Sequence, residues 1–338
     1  MRQIWITETG GPDVLKMQET ADPIPRNGEV RIRVEAVGVS FMDVLCRKGV
    51  CPGMPATPLV PGFEIAGTID QVSQGVGDLK EGEQVFALTR FGGYSDVVCV
   101  PHKQVFRRLD WMPVEEAAAL PVNYLLAYQM LVVMGSLHAG DAVLIHQVDR
   151  GVGLAALDVA TILGADTFGT APLSRHELLR SRGLAHVVDV TKEDFERVFR
   201  GERDGRGLQI ILDSLGGVYW PKNYRLLMPT GRLINYGLNS MSGAAKRSRQ
   251  QWLRGLIMLP YYTPLKLMRD NKGVMGVDLN QLWSVPELQQ RWMQQLVDWY
   301  DEVLFRPLID KAFPLAEAAA AHQYLLDRQG VGKVLLIP

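Results

Sequence analysis

The hydrophobic and polar positions of this chain follow two different periods, and the change comes near residue 120. Before that point, apolar and polar side chains alternate at residues 29–34, and further short strand candidates lie at 64–69, 84–88 and 94–100, with Gly and Pro residues between them. Alternation with a period of two is typical of half-buried β-strands joined by turns. We therefore predict an all-β module over residues 1 to about 120, in the form of a partly closed barrel.

Beyond residue 117, predicted strands alternate with predicted helices. Residues 115–134 have helical spacing, and apolar strand candidates follow at 143–146, 166–170, 186–190, 209–213, 232–236 and 273–277. This alternation predicts a parallel sheet covered by helices, and six strands match a doubly wound dinucleotide-binding domain. Two helices are predicted near 286–304 and 315–328, and the apolar run at 332–338 predicts a strand that returns to the N-terminal barrel.

These patterns predict an α/β protein with two domains. Residues 1–120 with 285–338 form the barrel domain, and residues 121–284 form the doubly wound domain. A chain of 338 residues is long enough for both. With 36 basic and 37 acidic residues, the formal net charge is −1, so no overall field attracts nucleic acid and we expect no such partner.

Cysteine usage and hydropathy predict the compartment. The three cysteines are too few for a disulfide framework, which favours a reducing environment. The N-terminus has no apolar core of signal-peptide length, and no run reaches the roughly 18 apolar residues of a membrane-spanning helix. We expect a cytoplasmic protein.

The segment 142–164 is the most informative part of the chain, because a buried strand, a tight turn and a helix closed by glycine begin a dinucleotide-binding fold. Its glycine fingerprint is damaged: a G-x-G-x-x-G pattern ending at Gly153 needs glycines where Val148 and Arg150 stand. We expect both side chains to narrow the space over the turn, and a positive φ at Arg150 would add strain on the order of 1–3 kcal/mol. Asp149 brings a negative charge, which leaves three alternatives: Arg150 neutralises it, Arg150 binds the phosphate itself, or the two residues pair and close the site.

Six segments in conserved order give the chain a family resemblance: VPGFEIAG at 60–67, EEAAALPVNY at 115–124, FGTA at 168–171, SRHE at 174–177, DSLGG at 213–217 and VGKVLL at 331–336. They resemble the zinc-free quinone oxidoreductase (zeta-crystallin) branch of the medium-chain dehydrogenase/reductase superfamily, and within it the vesicle amine transport protein homologues. The resemblance implies a GroES-like, partly open β-barrel domain that binds a small apolar substrate, and a Rossmann domain. It also implies a homodimer through the edge strand at 274–277.

The resemblance further implies a reductase without metal. Zinc-dependent relatives carry ligands at positions that match Ser40, Phe63 and Pro121 here, so only Glu64 of that set could bind zinc. Three protein ligands are the usual minimum for catalytic zinc. We therefore expect no metal, and an activity that transfers hydride from NADPH to a quinone or an α,β-unsaturated carbonyl.

The cofactor residues that we predict follow from the helix start and from the strand ends. The strand ending at Thr170 lacks the acidic residue that grips an NAD ribose, and Ser174 and Arg175 stand where the family holds the 2′-phosphate of NADPH. Alternatively, Ser174 caps the next helix and Arg175 lies on its solvated face. The full predicted set is Arg150, Gly151, Val152, Gly153, Thr170, Ser174, Arg175, Asp213, Gly237, Asn239 and Lys333.

The residues predicted to act on the substrate are polar groups at family positions. Ser40, Asp43, Asn123 and Tyr236 are candidates to position the acceptor and to donate a hydrogen bond to its oxygen. Residues 241–268 interleave basic and apolar side chains; we favour a packed helix over a lid, and a lid over peripheral membrane contact. Two other functions stay open: a non-redox cyclase or lyase that has lost the nicotinamide, and a protein that binds an apolar ligand or lipid.

Overall fold

The structure is a computed structural model that describes residues 1–51, 53–237, 260–327 and 330–338. The chain divides into two compact units, Met1–Leu125 with Leu279–Pro338, and Leu126–Asp278. These junctions differ by a few residues from the predicted 120/121 and 284/285. The helix Pro121–Tyr128 spans the first junction, and the 3₁₀ segment Leu279–Ser284 follows the second.

The elements follow one another in the alternation that the sequence predicts. The strands are β1 (Arg2–Ile6), β2 (Leu15–Glu19), β3 (Glu29–Val39), β4 (Glu64–Val72), β5 (Gln84–Leu88), β6 (Val97–Pro101), β7 (Val105–Arg107), β8 (Ala142–Ile145), β9 (Asp166–Thr170), β10 (His186–Val188), β11 (Leu208–Asp213), β12 (Leu227–Asn235), β13 (Gly273–Gly276), β14 (Ile309–Pro314) and β15 (Lys333–Ile337). The α-helices are α1 (Phe41–Arg47), α2 (Val114–Ala119), α3 (Pro121–Tyr128), α4 (Gly151–Ile162), α5 (His176–Ser181), α6 (Phe195–Glu202), α7 (Tyr219–Leu226), α8 (Pro264–Asp270), α9 (Pro286–Asp301) and α10 (Ala318–Leu326).

The second unit holds a parallel sheet with the strand order β10-β9-β8-β11-β12-β13. All four residues of β8 are buried, as expected for a central strand covered on both faces. The strand order reverses at β8, between β9 and β11. In doubly wound sheets the ligand binds beyond the carboxyl end of the strands at this switch point. The residues that follow Ile145 therefore occupy the ligand-binding position of this fold.

The first unit holds a seven-stranded sheet in which the long strand β3 pairs with β4, β6 and β15. The C-terminal strand β15 lies antiparallel to β3, with Val334 opposite Val39, as the sequence predicts. The pairing brings residues from opposite ends of the chain into one core, including Lys333. Throughout the described ranges, no helix is long and apolar enough to cross a bilayer.

Candidate functional site

The turn after β8 has its positive backbone angle at Gln147, where φ is 53°. Arg150, where a positive φ would have added strain, has a φ of −102° and precedes the first residue of α4. The strain expected at Arg150 is therefore absent. The turn is closed by hydrogen bonds from the Val148 amide to the Thr170 carbonyl (3.1 Å) and from the Arg150 amide to the Gln147 carbonyl (3.0 Å).

Val148 does not narrow the space over the turn, so this expectation was wrong. Its side chain is fully buried and lies against β9, where a Cβ added to Gly169 would come within 2.7 Å of Val148 Cγ1. The missing side chain of Gly169 makes room for the branched side chain of Val148. Gly169 of β9 thus accommodates the valine that stands in place of a fingerprint glycine.

Helix α4 begins without a cap from the side chain of its own N-cap residue. Its N-cap residue Arg150 makes no side-chain cap bond, and the first turn contains no acidic residue. The first amides of a helix have no intrahelical acceptor, and the helix dipole gives that end a partial positive charge. The amides of Gly151, Val152 and Gly153 therefore suit an anionic group such as a phosphate.

Gly153 is required for the way α4 packs on the turn. A Cβ at this position would lie 2.5 Å from the Gln147 carbonyl oxygen and 2.8 Å from Val148 Cα. Both neighbours are backbone atoms, which cannot swing aside as a side chain would. This is the close helix–strand approach that the last glycine of the dinucleotide fingerprint provides.

Asp149 and Arg150 lie side by side at the start of the helix. The Asp149 side chain is almost fully buried, and Arg150 Nε lies 3.7 Å from its Oδ2 while the Arg150 side chain stays partly exposed. A carboxylate beside a phosphate site is unfavourable unless a cation offsets it. Arg150 is placed to supply that cation.

A buried polar network lies behind the turn, and the sequence pattern did not predict it. His146 Nε2 lies 2.8 Å from Asn223 Oδ1, and His146 Nδ1 lies 3.2 Å from the Thr170 hydroxyl. That hydroxyl accepts a hydrogen bond from the Gln147 amide at 3.1 Å. Burial lowers the pKa of His146, so the ring is neutral, and a proton on Nε2 fits both contacts. The signal in the sequence was a histidine at the end of a wholly apolar strand.

Thr170 and Asp213, two predicted cofactor residues, thus lie in the scaffold of the turn and its neighbouring loop. Asp213 Oδ1 accepts hydrogen bonds from the Leu215 amide (2.7 Å) and the Gly216 amide (3.0 Å). Ser214 then donates a hydrogen bond to Gln147 Oε1 at 3.0 Å. The side chains at the ends of β9 and β11 therefore hold the residues that flank the helix start.

Tyr236 and Gly237 follow β12 at the same edge of the sheet. A Cβ at Gly237 would come within 2.8 Å of the Ser214 carbonyl oxygen, so the two loops touch through backbone atoms. Tyr236 is partly buried, and burial raises the pKa of its hydroxyl. It is therefore a neutral hydrogen-bond donor. Asn239, also a predicted cofactor residue, lies outside the described residues, as do residues 241–259.

Ser174 and Arg175 lie in the 3₁₀ turn Leu173–Arg175, after β9. Ser174 is exposed and Arg175 is partly buried. The alternative that Ser174 caps the next helix was wrong, because α5 takes Arg175 as its N-cap residue and has no side-chain cap bond. The turn presents a hydroxyl and a guanidinium one residue apart.

In the first unit, the predicted pair Ser40 and Asp43 is in contact at the start of α1. Asp43 Oδ2 accepts hydrogen bonds from the Ser40 amide (2.8 Å) and the Ser40 hydroxyl (3.0 Å), while its Oδ1 accepts one from the Gly62 amide (2.9 Å). Burial raises the pKa of Asp43 to about 6, although the hydrogen bonds from Ser40 oppose this shift. Asp43 can therefore change protonation near neutral pH.

We expect Asp43→Asn to remove a pH dependence of stability. Since the pKa of Asp43 rises from 3.8 to about 6 on folding, the folded state binds a proton in this range that the unfolded state does not bind. The contribution of Asp43 to the free energy of unfolding should thus increase as the pH falls from about 6 towards 3.8. Urea unfolding of both proteins across this range should give a difference that changes with pH. A constant difference would contradict the assignment.

Lys333 lies in the interior of the first unit, where its ammonium group is paired with the Glu64 carboxylate. Both side chains are buried, and Glu64 Oε2 also accepts a hydrogen bond from the Val122 amide at 2.8 Å. Asn123, the next residue of α3, is buried as well. The ammonium group of Lys333, a predicted cofactor residue, is thus bound to Glu64 in the interior of this unit.

Among the residues that the structure describes, no group of three or more His, Cys, Asp or Glu side chains is arranged to hold a metal ion. Glu64, the one side chain at a zinc-ligand position that could bind a metal, is the partner of Lys333.

Comparison with known proteins identifies the family. The chain is 36% identical to a mouse (Mus musculus) synaptic vesicle membrane protein VAT-1 homolog, across 100% of this chain and 84% of the relative. It is 30% identical to human (Homo sapiens) quinone oxidoreductase, across 100% of this chain and 98% of the relative. The chain belongs to the medium-chain dehydrogenase/reductase superfamily. Within this superfamily it lies near the VAT-1 homologues, which confirms the resemblance found in the sequence.

Two segments of this chain match known protein families. Residues 26–110 match the alcohol dehydrogenase GroES-like domain, and residues 182–336 match the zinc-binding dehydrogenase family. Among solved structures, a mycobacterial protein in complex with NADPH has a TM-score of 0.87 at 27% identity, covering 100% of both chains. The CurK enoyl reductase has a TM-score of 0.87 at 28% identity, covering 99% of this chain and 98% of its own. The predicted fold class is confirmed.

Proposed function

We propose that this protein is an NADPH-dependent reductase that transfers hydride to a quinone or an α,β-unsaturated carbonyl without zinc. The observation that carries the proposal is the start of α4 at the switch point of the parallel sheet, where the N-cap residue Arg150 makes no side-chain cap bond and the first turn has no acidic residue. Relatives named quinone oxidoreductase and enoyl reductase, and a similar structure with NADPH, support the reaction class. When bound, NADPH supplies the hydride.

The residues of the second unit fit this cofactor. The amides of Gly151, Val152 and Gly153 would bind the pyrophosphate, and Arg150 would offset the charge of Asp149 beside it. The 2′-phosphate would lie at the turn Leu173–Arg175, where Ser174 and Arg175 provide a hydroxyl and a guanidinium. Because β9 ends in Thr170 rather than in an acidic residue, the chain lacks the usual carboxylate that selects NAD at this position.

Ser40 is our candidate to bind the acceptor oxygen. When Asp43 is protonated, its O–H can donate to the Ser40 oxygen, which leaves the Ser40 hydroxyl hydrogen for the acceptor. The raised pKa of Asp43 makes this state accessible near neutral pH. Asp43 would thus position Ser40, and Tyr236 and Asn123 stay predicted contacts of the substrate. The residues at the zinc-ligand positions, Ser40, Phe63 and Pro121, support a reaction that needs no metal.

A second copy of the chain is the partner that we propose. Among the described strands, β13 is the last one of the six-stranded sheet, and edge strands tend to pair with other chains. Pairing of β13 with its copy would join two sheets across a two-fold axis. Sedimentation velocity would detect the dimer, and a monomer at all concentrations would exclude it.

The test of the cofactor is titration of NADPH against the wild type and against Arg150→Gly, by nucleotide fluorescence or calorimetry. We expect the wild type to bind NADPH, and the variant to bind about tenfold more weakly, a difference of ~1.4 kcal/mol. The physical reason is that Asp149 loses the cation that offsets its charge. Oxidation of NADPH with a panel of quinones and enones then tests turnover.

One outcome of this titration would overturn the reductase proposal. If the wild type does not bind and Arg150→Gly binds, the pair Asp149–Arg150 closes the site and the reductase proposal is wrong. A non-redox reaction or carriage of an apolar ligand would then replace it. Arg90→Gly, a change of an exposed arginine in the first unit, controls for loss of one positive charge and should leave binding unchanged.

A further inference from the structure

The carboxylate of Asp189, directly after β10, joins two loops at the carboxyl edge of the sheet. Its Oδ2 accepts a hydrogen bond from the Leu173 amide at 3.1 Å. Its Oδ1 accepts hydrogen bonds from the Thr191 amide at 2.9 Å and the Thr191 hydroxyl at 2.6 Å. Asp189 is 6% exposed. A single side chain therefore connects the turn Leu173–Arg175 to the loop after β10.

Ala171, two residues before this turn, is fixed at both of its backbone groups. The Ala171 amide donates a hydrogen bond to the Val188 carbonyl at 3.1 Å, and the Ala171 carbonyl lies 3.0 Å from His176 Nε2. The Leu173 amide, held by Asp189, is the next anchor along the chain. Ser174 and Arg175 follow it, and the Arg175 amide closes the turn on the Pro172 carbonyl at 2.9 Å.

We propose that Asp189 is a positioning residue that gives this protein its preference for a dinucleotide with a 2′-phosphate, by holding the turn that carries Ser174 and Arg175. The inference rests on the proposed NADPH-dependent function and names the residue behind its selectivity. Recognition of a phosphate by a guanidinium depends on geometry, because the planar donors must meet the phosphate oxygens together. Without the hydrogen bond to Asp189, the turn presents Ser174 and Arg175 in many orientations. Ordering them when the phosphate binds then costs free energy.

The charge of the Asp189 carboxylate and its position in the fold predict opposite effects of its removal on NADPH binding. The hydrogen bonds from Thr191 lower the pKa of Asp189, so the group is anionic at neutral pH. By charge alone, an anion near a 2′-phosphate repels it, and removal of the anion would tighten the binding of NADPH. By position, removal frees the turn and weakens NADPH binding while NADH, which has no 2′-phosphate, is unaffected.

The test is Asp189→Asn, with the dissociation constants of NADPH and NADH measured on the same preparations. An amide keeps one acceptor oxygen for Thr191, but its NH₂ group cannot accept from the Leu173 amide. We expect NADPH to bind about tenfold more weakly and NADH to bind as before, so that the selectivity falls about tenfold, or ~1.4 kcal/mol. Asp194→Asn is the matched control, because Asp194 contacts Lys222 and the Glu196 amide, with no hydrogen bond to Leu173.

Two results would overturn the inference. Tighter NADPH binding by Asp189→Asn would mean that the carboxylate acts by charge, and equal weakening of both dinucleotides would mean a general structural role. If Asp189→Asn does not fold, Thr191→Val keeps the carboxylate and removes one of its donors, and a smaller loss of selectivity is expected from it.

A pair of shorter ligands separates this inference from the proposed function. Adenosine 2′,5′-bisphosphate and adenosine 5′-monophosphate differ by the 2′-phosphate and lack the nicotinamide. If the wild type prefers the bisphosphate and Asp189→Asn loses that preference while no acceptor is reduced, the reductase proposal fails and the inference stands. If the wild type reduces acceptors with NADPH and NADH equally well, the inference fails and the reductase activity stands.

Discussion

Lys333→Met should lower the free energy of unfolding by about 3–5 kcal/mol, because it leaves the Glu64 carboxylate buried without a counter-charge. Glu64 is fully buried and Lys333 is 4% exposed, so water cannot solvate the charge that remains. The hydrogen bond from the Val122 amide to Glu64 Oε2 satisfies only part of that carboxylate. Urea unfolding at neutral pH measures the loss through a lower midpoint.

A double-mutant cycle measures the interaction free energy between Glu64 and Lys333 apart from the effect of each substitution alone. Glu64→Gln alone leaves the ammonium group buried and should also destabilise strongly, whereas Glu64→Gln with Lys333→Met removes both charges and should recover much of the loss. Lys103→Met is the control, since Lys103 pairs with Glu287 on the surface with both side chains at least half exposed, and such pairs contribute about 0–1 kcal/mol. If Lys333→Met costs no more than Lys103→Met, the buried pair does not stabilise this unit.

The sequence predicted the fold because its strands are short, apolar and separated by clear turn residues. Two of the predicted strands, 84–88 and 166–170, agree residue for residue with β5 and β9. The predicted helix 115–134 was too simple: α2 ends at Ala119 and α3 begins at Pro121, whose ring removes an amide and so starts a new helix. The prediction started the next strand at 232 because Pro229 and Gly231 have the composition of a turn. In the structure, strand β12 begins at Leu227.

The sequence predicted the position of the candidate site from the ends of the strands, but it did not predict the side-chain contacts within the site. Spacing along the chain placed the helix start at Gly151 and the loops after β9, β11 and β12 at one edge of the sheet. The direction of Val148 depends on Gly169, a residue of the neighbouring strand, and the roles of Asp189 and Asn223 depend on partners in other loops. Those contacts are set by three-dimensional packing, which local periodicity does not encode.

Lys333 is a further residue whose contact with a distant part of the chain is not visible in the sequence pattern. Lys333 is a predicted cofactor contact, and β15, which pairs with β3, turns this first residue of the strand towards Glu64. The burial of both partners decides the role that we expect, and burial is not visible in a run such as 331–336. Residues whose function depends on a long-range partner are therefore the ones that a single sequence assigns least well.

Gly153→Ala is the second change with a large expected effect: NADPH binding should weaken by more than tenfold, or ~1.4 kcal/mol, and stability should fall by about 1–3 kcal/mol. The added Cβ would lie 2.5 Å from the Gln147 carbonyl oxygen, so α4 must move away from the turn. That movement displaces the amides of Gly151 and Val152, which we propose to bind the pyrophosphate. NADPH titration and thermal unfolding measure the two effects.

The matched control for this change is Gly201→Ala in α6, in the same unit. Gly201 is exposed, and a Cβ there would have nothing within 4 Å, so alanine should leave NADPH binding intact and strengthen the helix by up to about 1 kcal/mol. The comparison isolates the close approach at Gly153 from the general effect of alanine in a helix. If Gly153→Ala is destabilised but binds NADPH as tightly as the wild type, the start of α4 does not hold the phosphates. The anion would then have to be bound by side chains alone, and Arg150 and Arg175 would be the residues to replace next.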